Sequence, residues 1–81
     1  PFNPATTLRF TVDSPQRMRL AVFDIAGRHQ AQVADKTFDA GTHELLWQAR
    51  DDAGRRLPSG VYLLRMEAAG KSETQKLVLL Q

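Results

Sequence analysis

The residues of this sequence that could do chemistry are few, and their spacing does not suit it. His29 and His43 are the only histidines and cysteine is absent, so a zinc site would lack its usual paired ligands. His43 shares its parity with Leu45 and Trp47, which marks it as a packed or rim side chain, while His29 falls beside a turn where water solvates it. Ser14, Ser59 and Ser72 lie in turns or at a strand start, outside any Gly-x-Ser-x-Gly context that would expose a nucleophile. Asp51-Asp52-Ala53-Gly54 clusters carboxylates on a loop, an arrangement hard cations favour. Its continuation, Arg55-Arg56-Leu57-Pro58, supplies cations where a calcium loop needs alternating oxygens, so Asp51 is expected to accept backbone N–H bonds in a turn instead. Trp47 could stack on a sugar, but its parity with Leu45 points it to the core, and nothing aligns Phe2, Phe38 or Tyr62 with it as a platform. No catalytic, cofactor-binding or metal-ligating residue is assigned, and the chain is not read as an enzyme.

Whatever these residues do, strands must position them. Leu8, Phe10 and Val12 alternate with Arg9 and Thr11 and stop at Asp13-Ser14-Pro15. Met18, Leu20 and Val22 alternate with Arg17, Arg19 and Ala21, and Phe23 and Ile25 add apolar groups to the other face. A third strand is expected over residues 28–34, and a fourth carries His43, Leu45 and Trp47 on one parity before a polar loop over residues 49–60. Tyr62, Leu64 and Met66 form the inner row of a fifth, whose Val61 and Leu63 imply that both faces are partly covered and that the strand is central. The last strand, residues 72–80, alternates Lys76 with Leu77 and then turns uniformly apolar. Ala26-Gly27, Ala40-Gly41, Ala53-Gly54 and Ala69-Gly70 recur between these runs, each suited to the left-handed corner of a bulged type I or a type II turn.

This pattern predicts an all-β chain of about six to seven strands, a single antiparallel β-sandwich over residues 1–81, with a small barrel as the alternative. Sheet-on-sheet packing would bury Phe10, Leu20, Val22, Leu45, Trp47, Tyr62, Leu64 and Leu77. The 81 residues suit one small domain, and the longest apolar run, Leu77-Val78-Leu79-Leu80, is far short of a membrane helix. Eleven Lys and Arg stand against nine Asp and Glu, and the arginines never cluster beyond Arg55-Arg56, which gives no footprint for nucleic acid. Pro1-Phe2-Asn3-Pro4 has neither a charged nor an apolar leader segment, so the chain is expected to be a processed fragment or an excised domain. The absence of cysteine suits the cytosol and also exported proteins that dispense with disulfides.

Several short stretches occur in an order that carries a resemblance. They are Pro1-Phe2-Asn3-Pro4-Ala5-Thr6-Thr7-Leu8-Arg9-Phe10, Val22-Phe23-Asp24-Ile25-Ala26-Gly27-Arg28, Ala40-Gly41-Thr42-His43-Glu44 and Trp47, followed by Asp51-Asp52-Ala53-Gly54-Arg55, Pro58-Ser59-Gly60-Val61-Tyr62 and Gln75-Lys76-Leu77-Val78-Leu79-Leu80. Together they resemble the C-terminal sorting domains of the type IX secretion system, and the similar immunoglobulin-like domain of flagellar hook-capping proteins. The resemblance covers essentially the whole chain, although Gln48 follows Trp47 where the family commonly has a small acidic residue. It implies a small immunoglobulin-like sandwich, covalently joined to an N-terminal cargo domain. Such a domain passes through the periplasm to the outer-membrane surface or beyond, and is cut off there by a sortase-like processing protease. It also implies that Asn3, Pro4, Thr7, Gly60, Tyr62, Lys76, Leu77, Val78 and Leu79 belong to what the outer-membrane secretion machinery recognises. Two alternatives are kept: a structural module of a hook-capping protein, and an accessory carbohydrate-binding or spacer domain of an extracellular hydrolase.

Overall fold

The computed structural model describes residues 6–80. Six strands follow one another: β1 (Thr6–Val12), β2 (Gln16–Asp24), β3 (His29–Phe38), β4 (Gly41–Trp47), β5 (Gly60–Ala68) and β6 (Lys71–Leu79). They form two antiparallel sheets, a pair in the order β1-β4 and a four-stranded sheet in the order β3-β2-β5-β6. The inner rows read from the sequence pack into one core that joins the sheets: Leu8, Phe10 and Val12 from β1, Met18, Leu20 and Val22 from β2, Tyr62, Leu64 and Met66 from β5. Leu20 and Val22 are completely buried, and burying each side chain of this size contributes roughly 1.5–3 kcal/mol. The two separate sheets make this a sandwich and exclude the barrel.

Four expectations need correction. β3 runs to Phe38 instead of stopping at residue 34, because bulges displace its register beside Leu20/Ala21 and Val22/Phe23 and hide the alternation. Leu45 and Leu77 are only half-buried: they pack against the margin of the core from β4 and β6, each of which pairs with a single strand among the described residues. Ile25 lies beyond the end of β2 in an exposed turn, and so does not extend the strand's outer face. The stretch expected as a polar loop holds a miniature hairpin, closed by an Arg50–Arg56 bridge and by a 2.9 Å bond from Leu57 N–H to the Ala49 carbonyl, with both Ala49 and Leu57 buried.

Chain direction sorts the connections into two ends. β1 reaches Val12 at the end where β2 begins, together with the β3–β4 and β5–β6 turns. At the opposite end lie Thr6, the β2–β3 turn, the miniature hairpin, Gly60 and Leu79. The β5–β6 turn is Ala69-Gly70, with φ of 47° and 81°. Two left-handed residues in a row match the twist of the flanking strands and fix the register with Ala68 opposite Lys71.

Candidate recognition surface

β6 carries the residues on which the functional reading turns, and its register with β5 decides where each points. Leu77 faces Tyr62 and Leu79 faces Gly60 on the inner side, where Leu79 is 3% exposed. Lys76 faces Leu63 and Val78 faces Val61 on the outer side, where Val78 is 53% and Val61 41% exposed. The alternation expected from the sequence, with two leucines anchoring the strand and Lys76 and Val78 presented outward, is what the structure has. Leu80 follows at 84% exposure. The end of the sandwich that contains Gly60 and Leu79 therefore also displays an apolar cross-strand pair with Leu80 close by in the chain. Directly opposed aliphatic side chains on a sheet stabilise the pairing, but here they leave apolar area open to contact.

Tyr62 anchors the start of β5. Its ring is buried and its hydroxyl donates a 2.7 Å hydrogen bond to the Pro58 carbonyl, tying the strand to the chain that enters it. Burial, with a smaller effect from the Asp24 carboxylate, pushes the phenol above its ordinary range.

Asp24 and Asp51 build two copies of one turn from the same five-residue pattern, Asp-x-Ala-Gly-Arg at 24–28 and 51–55. In each, the aspartate carbonyl accepts from the glycine N–H, at 3.0 and 2.9 Å, and its N–H donates to the arginine carbonyl, at 2.9 and 2.8 Å. One carboxylate oxygen accepts from the alanine and arginine N–H groups, and the other from the arginine Nε. Asp51 thus does what its sequence context suggests, and Asp24 is a twin that the repeated Ala-Gly alone did not reveal. The second turn docks on β3: Asp52 Oδ1 accepts the Gln32 N–H at 2.9 Å, and Asp52 Oδ2 lies 2.9 Å from His29 Nε2. His29 is accordingly paired with a carboxylate, not simply solvated as expected. His43 is half-buried as a rim residue, stacked on Phe10 with ring centroids 5.5 Å apart and bonded through Nε2 to the Asp39 carbonyl at 2.7 Å.

Backbone N–H bonds, from Arg28 to Asp24, Arg55 to Asp51 and Gln32 to Asp52, hold all three carboxyls below the usual carboxylate range. A carboxyl lowered by folding stabilises the native state fully above its unfolded value near pH 4 and loses that contribution as pH falls through the lowered value. Urea unfolding across the acid range should therefore show stability declining below about pH 4. In Asp51→Asn the decline should be shallower, and the gap between the two proteins should close at the lowest pH.

Of the expected recognition residues, Gly60, Tyr62, Lys76, Leu77, Val78 and Leu79 come together at one end of β5 and β6. Thr7 sits on the other sheet, opposite Leu46, and Asn3 and Pro4 lie outside the described residues. Trp47 and Phe38 are buried, so neither offers a ring to a sugar. Leu80 was not singled out from sequence, and Val61, expected with Leu63 to lie on a partly covered outer face of β5, is 41% exposed instead, while Leu63 is half-buried. Among the described residues, no helix is long and apolar enough to cross a membrane.

A family model for the secretion system C-terminal sorting domain matches residues 2–80. The chain belongs to that family. It is one of sorting signals, not of enzymes, and membership implies handling by the type IX secretion machinery and export to the cell surface or the extracellular space. Among solved structures, the sorting domain is similar to FlgD from P. aeruginosa, with a TM-score of 0.74 at 18% identity over 93% of this chain. It spans 60% of the length of that FlgD chain, and the likeness is one of fold. No curated protein matches.

Proposed function

We propose that this sorting domain directs a covalently joined N-terminal cargo through the periplasm and across the outer membrane, and that the machinery reads the outer side of β6 with its β5 neighbour. The observation that carries the reading is the split of the terminal strand: Leu77 and Leu79 hold it to the core while Lys76 and Val78 are presented. After delivery, a sortase-like protease removes the domain and joins the cargo to the surface. Residues Gly60 and Tyr62 act by placing β5 under β6, and Lys76 and Val78 act by contact. The hook-cap alternative has the FlgD fold likeness in its favour and nothing at the β6 surface that calls for it.

The reading is tested by fusing the chain to a fluorescent cargo in a bacterium that possesses this secretion system. With residues 76–81 deleted, or with a short tail appended after Gln81, the cargo should accumulate in the periplasm. Surface delivery equal to that of the unaltered fusion would overturn the proposal.

A further inference from the structure

The two edges of the four-stranded sheet are managed in opposite ways. At the β3 edge, two bulges break the register, and the miniature hairpin takes up exposed backbone groups: Asp52 N–H donates to the Gln30 carbonyl at 3.2 Å, and the Asp52 carboxylate accepts from Gln32 N–H. Such bulges and covers are how sheets avoid unwanted pairing. β6 has neither. Its register with β5 is unbroken from Lys71 opposite Ala68 to Leu79 opposite Gly60, it contains no proline, and among the described residues it pairs with no other strand.

Hairpin geometry identifies which of its backbone groups are open. A two-residue turn at Ala69-Gly70 makes Ala68 and Lys71 a hydrogen-bonded pair, and antiparallel alternation then bonds Glu73, Gln75, Leu77 and Leu79 to β5. The N–H and C=O groups of Ser72, Thr74, Lys76 and Val78 point away from the sheet, and their side chains lie on its outer face. Around them the face is cationic and apolar. Lys76 has no ion-pair partner among the described residues, and Arg65, opposite Thr74, stands over Phe23, donates from Nε to the Ser72 hydroxyl at 3.3 Å and lies 3.8 Å from the Glu67 carboxylate. Val78 and Val61 supply the exposed apolar pair.

We infer that β6 is an acceptor for strand addition, completed during export by an extended segment of the secretion machinery. That segment carries a carboxylate opposite Lys76 and, two residues along, a bulky apolar side chain opposite Val78. This rests on the sorting role proposed above and names the mode of recognition. A second copy of the chain is the poorer occupant. Two-fold pairing centred on Lys76 or on Gln75 sets Lys76 against or diagonal to its own copy, beside both Arg65 side chains, which like-charge repulsion disfavours.

Proline at position 74 tests the edge without touching the β5 ladder, because only an outward N–H is lost and proline is tolerated in edge strands there. In the cargo fusion, Thr74→Pro should retain its circular dichroism spectrum and cut surface delivery by about tenfold or more. Thr74→Val, which keeps the N–H, should be delivered normally. A folded Thr74→Pro fusion delivered at the normal level overturns the inference. If deleting residues 76–81 also leaves delivery untouched, the sorting role fails with it; if deletion blocks delivery and folded Thr74→Pro does not, only strand addition fails.

A second measurement is independent of whether the proline variant folds. The 81-residue chain is titrated with a blocked peptide of about seven residues, mostly threonine, with a glutamate two positions from an isoleucine. The amide signals of Ser72, Thr74, Lys76 and Val78 should shift and gain exchange protection. N-methylation of the peptide's edge-facing amides should weaken binding about tenfold or more. Perturbation centred on β3, or affinity indifferent to N-methylation, would overturn strand addition.

Discussion

Truncating Leu64 to alanine lowers the midpoint of thermal unfolding by roughly 10–30 °C. Leu64 is 1% exposed at the centre of β5, opposite the completely buried Val22 of β2. Removing its side chain forfeits its transfer free energy and leaves a cavity between two strands whose ladders hold them in place, at a cost of about 2–5 kcal/mol. A chain of this length has total stability on the order of 4–12 kcal/mol, so the variant stands near its folding limit. A calorimetric midpoint within a few degrees of the unsubstituted chain would mean that the core is not centred on β5.

The second large effect separates anchoring from presentation at adjacent positions. Leu79→Asp places a carboxylate at a site 3% exposed, facing Gly60 in the core, and loses both thermal stability and surface delivery. Val78→Asp adds the same charge to a side chain already 53% exposed. Its folding stability should fall by only about 1 kcal/mol, from the lost cross-strand pair and the poorer strand propensity of aspartate. Its delivery should nevertheless fall by about tenfold or more, because the apolar pair with Val61 is spoiled and Lys76 gains an adjacent carboxylate. Paired urea titrations and cell-surface labelling read the two quantities separately. Normal delivery of Val78→Asp would remove the outer side of β6 from recognition.

The strands that the sequence made legible are those whose two faces differ. β1, β2 and β5 alternate cleanly because one side is core, and their inner rows were identified residue by residue. β3 was cut short because its bulges at two levels interrupt the period and because Asp35, Lys36 and Thr37 hide the buried Phe38 behind them. The outward Lys76 and Val78 were legible for the same reason as the core. The bond from Asp52 to Gln32 and the His29 pairing were not, since they join residues 20 and 23 positions apart through a turn whose docking no local pattern encodes. What distinguishes the open β6 edge from the covered β3 edge is that docking together with the bulges of β3, so the asymmetry emerged only with the structure.

Thr6, where β1 begins, and Leu79, where β6 closes, lie at the same end of the sandwich. Tension drawn between these two points therefore loads each ladder at one extremity. The Thr6–Trp47 and Leu79–Gly60 rungs part first, and the rest follow singly like the teeth of a zipper, since antiparallel rungs lie perpendicular to the strands. Pulling instead between Thr6 and the Ala69-Gly70 turn at the opposite end would set many rungs in shear at once. A fold held at rest by a dense core is thus mechanically soft along the one line that joins its first strand to its last.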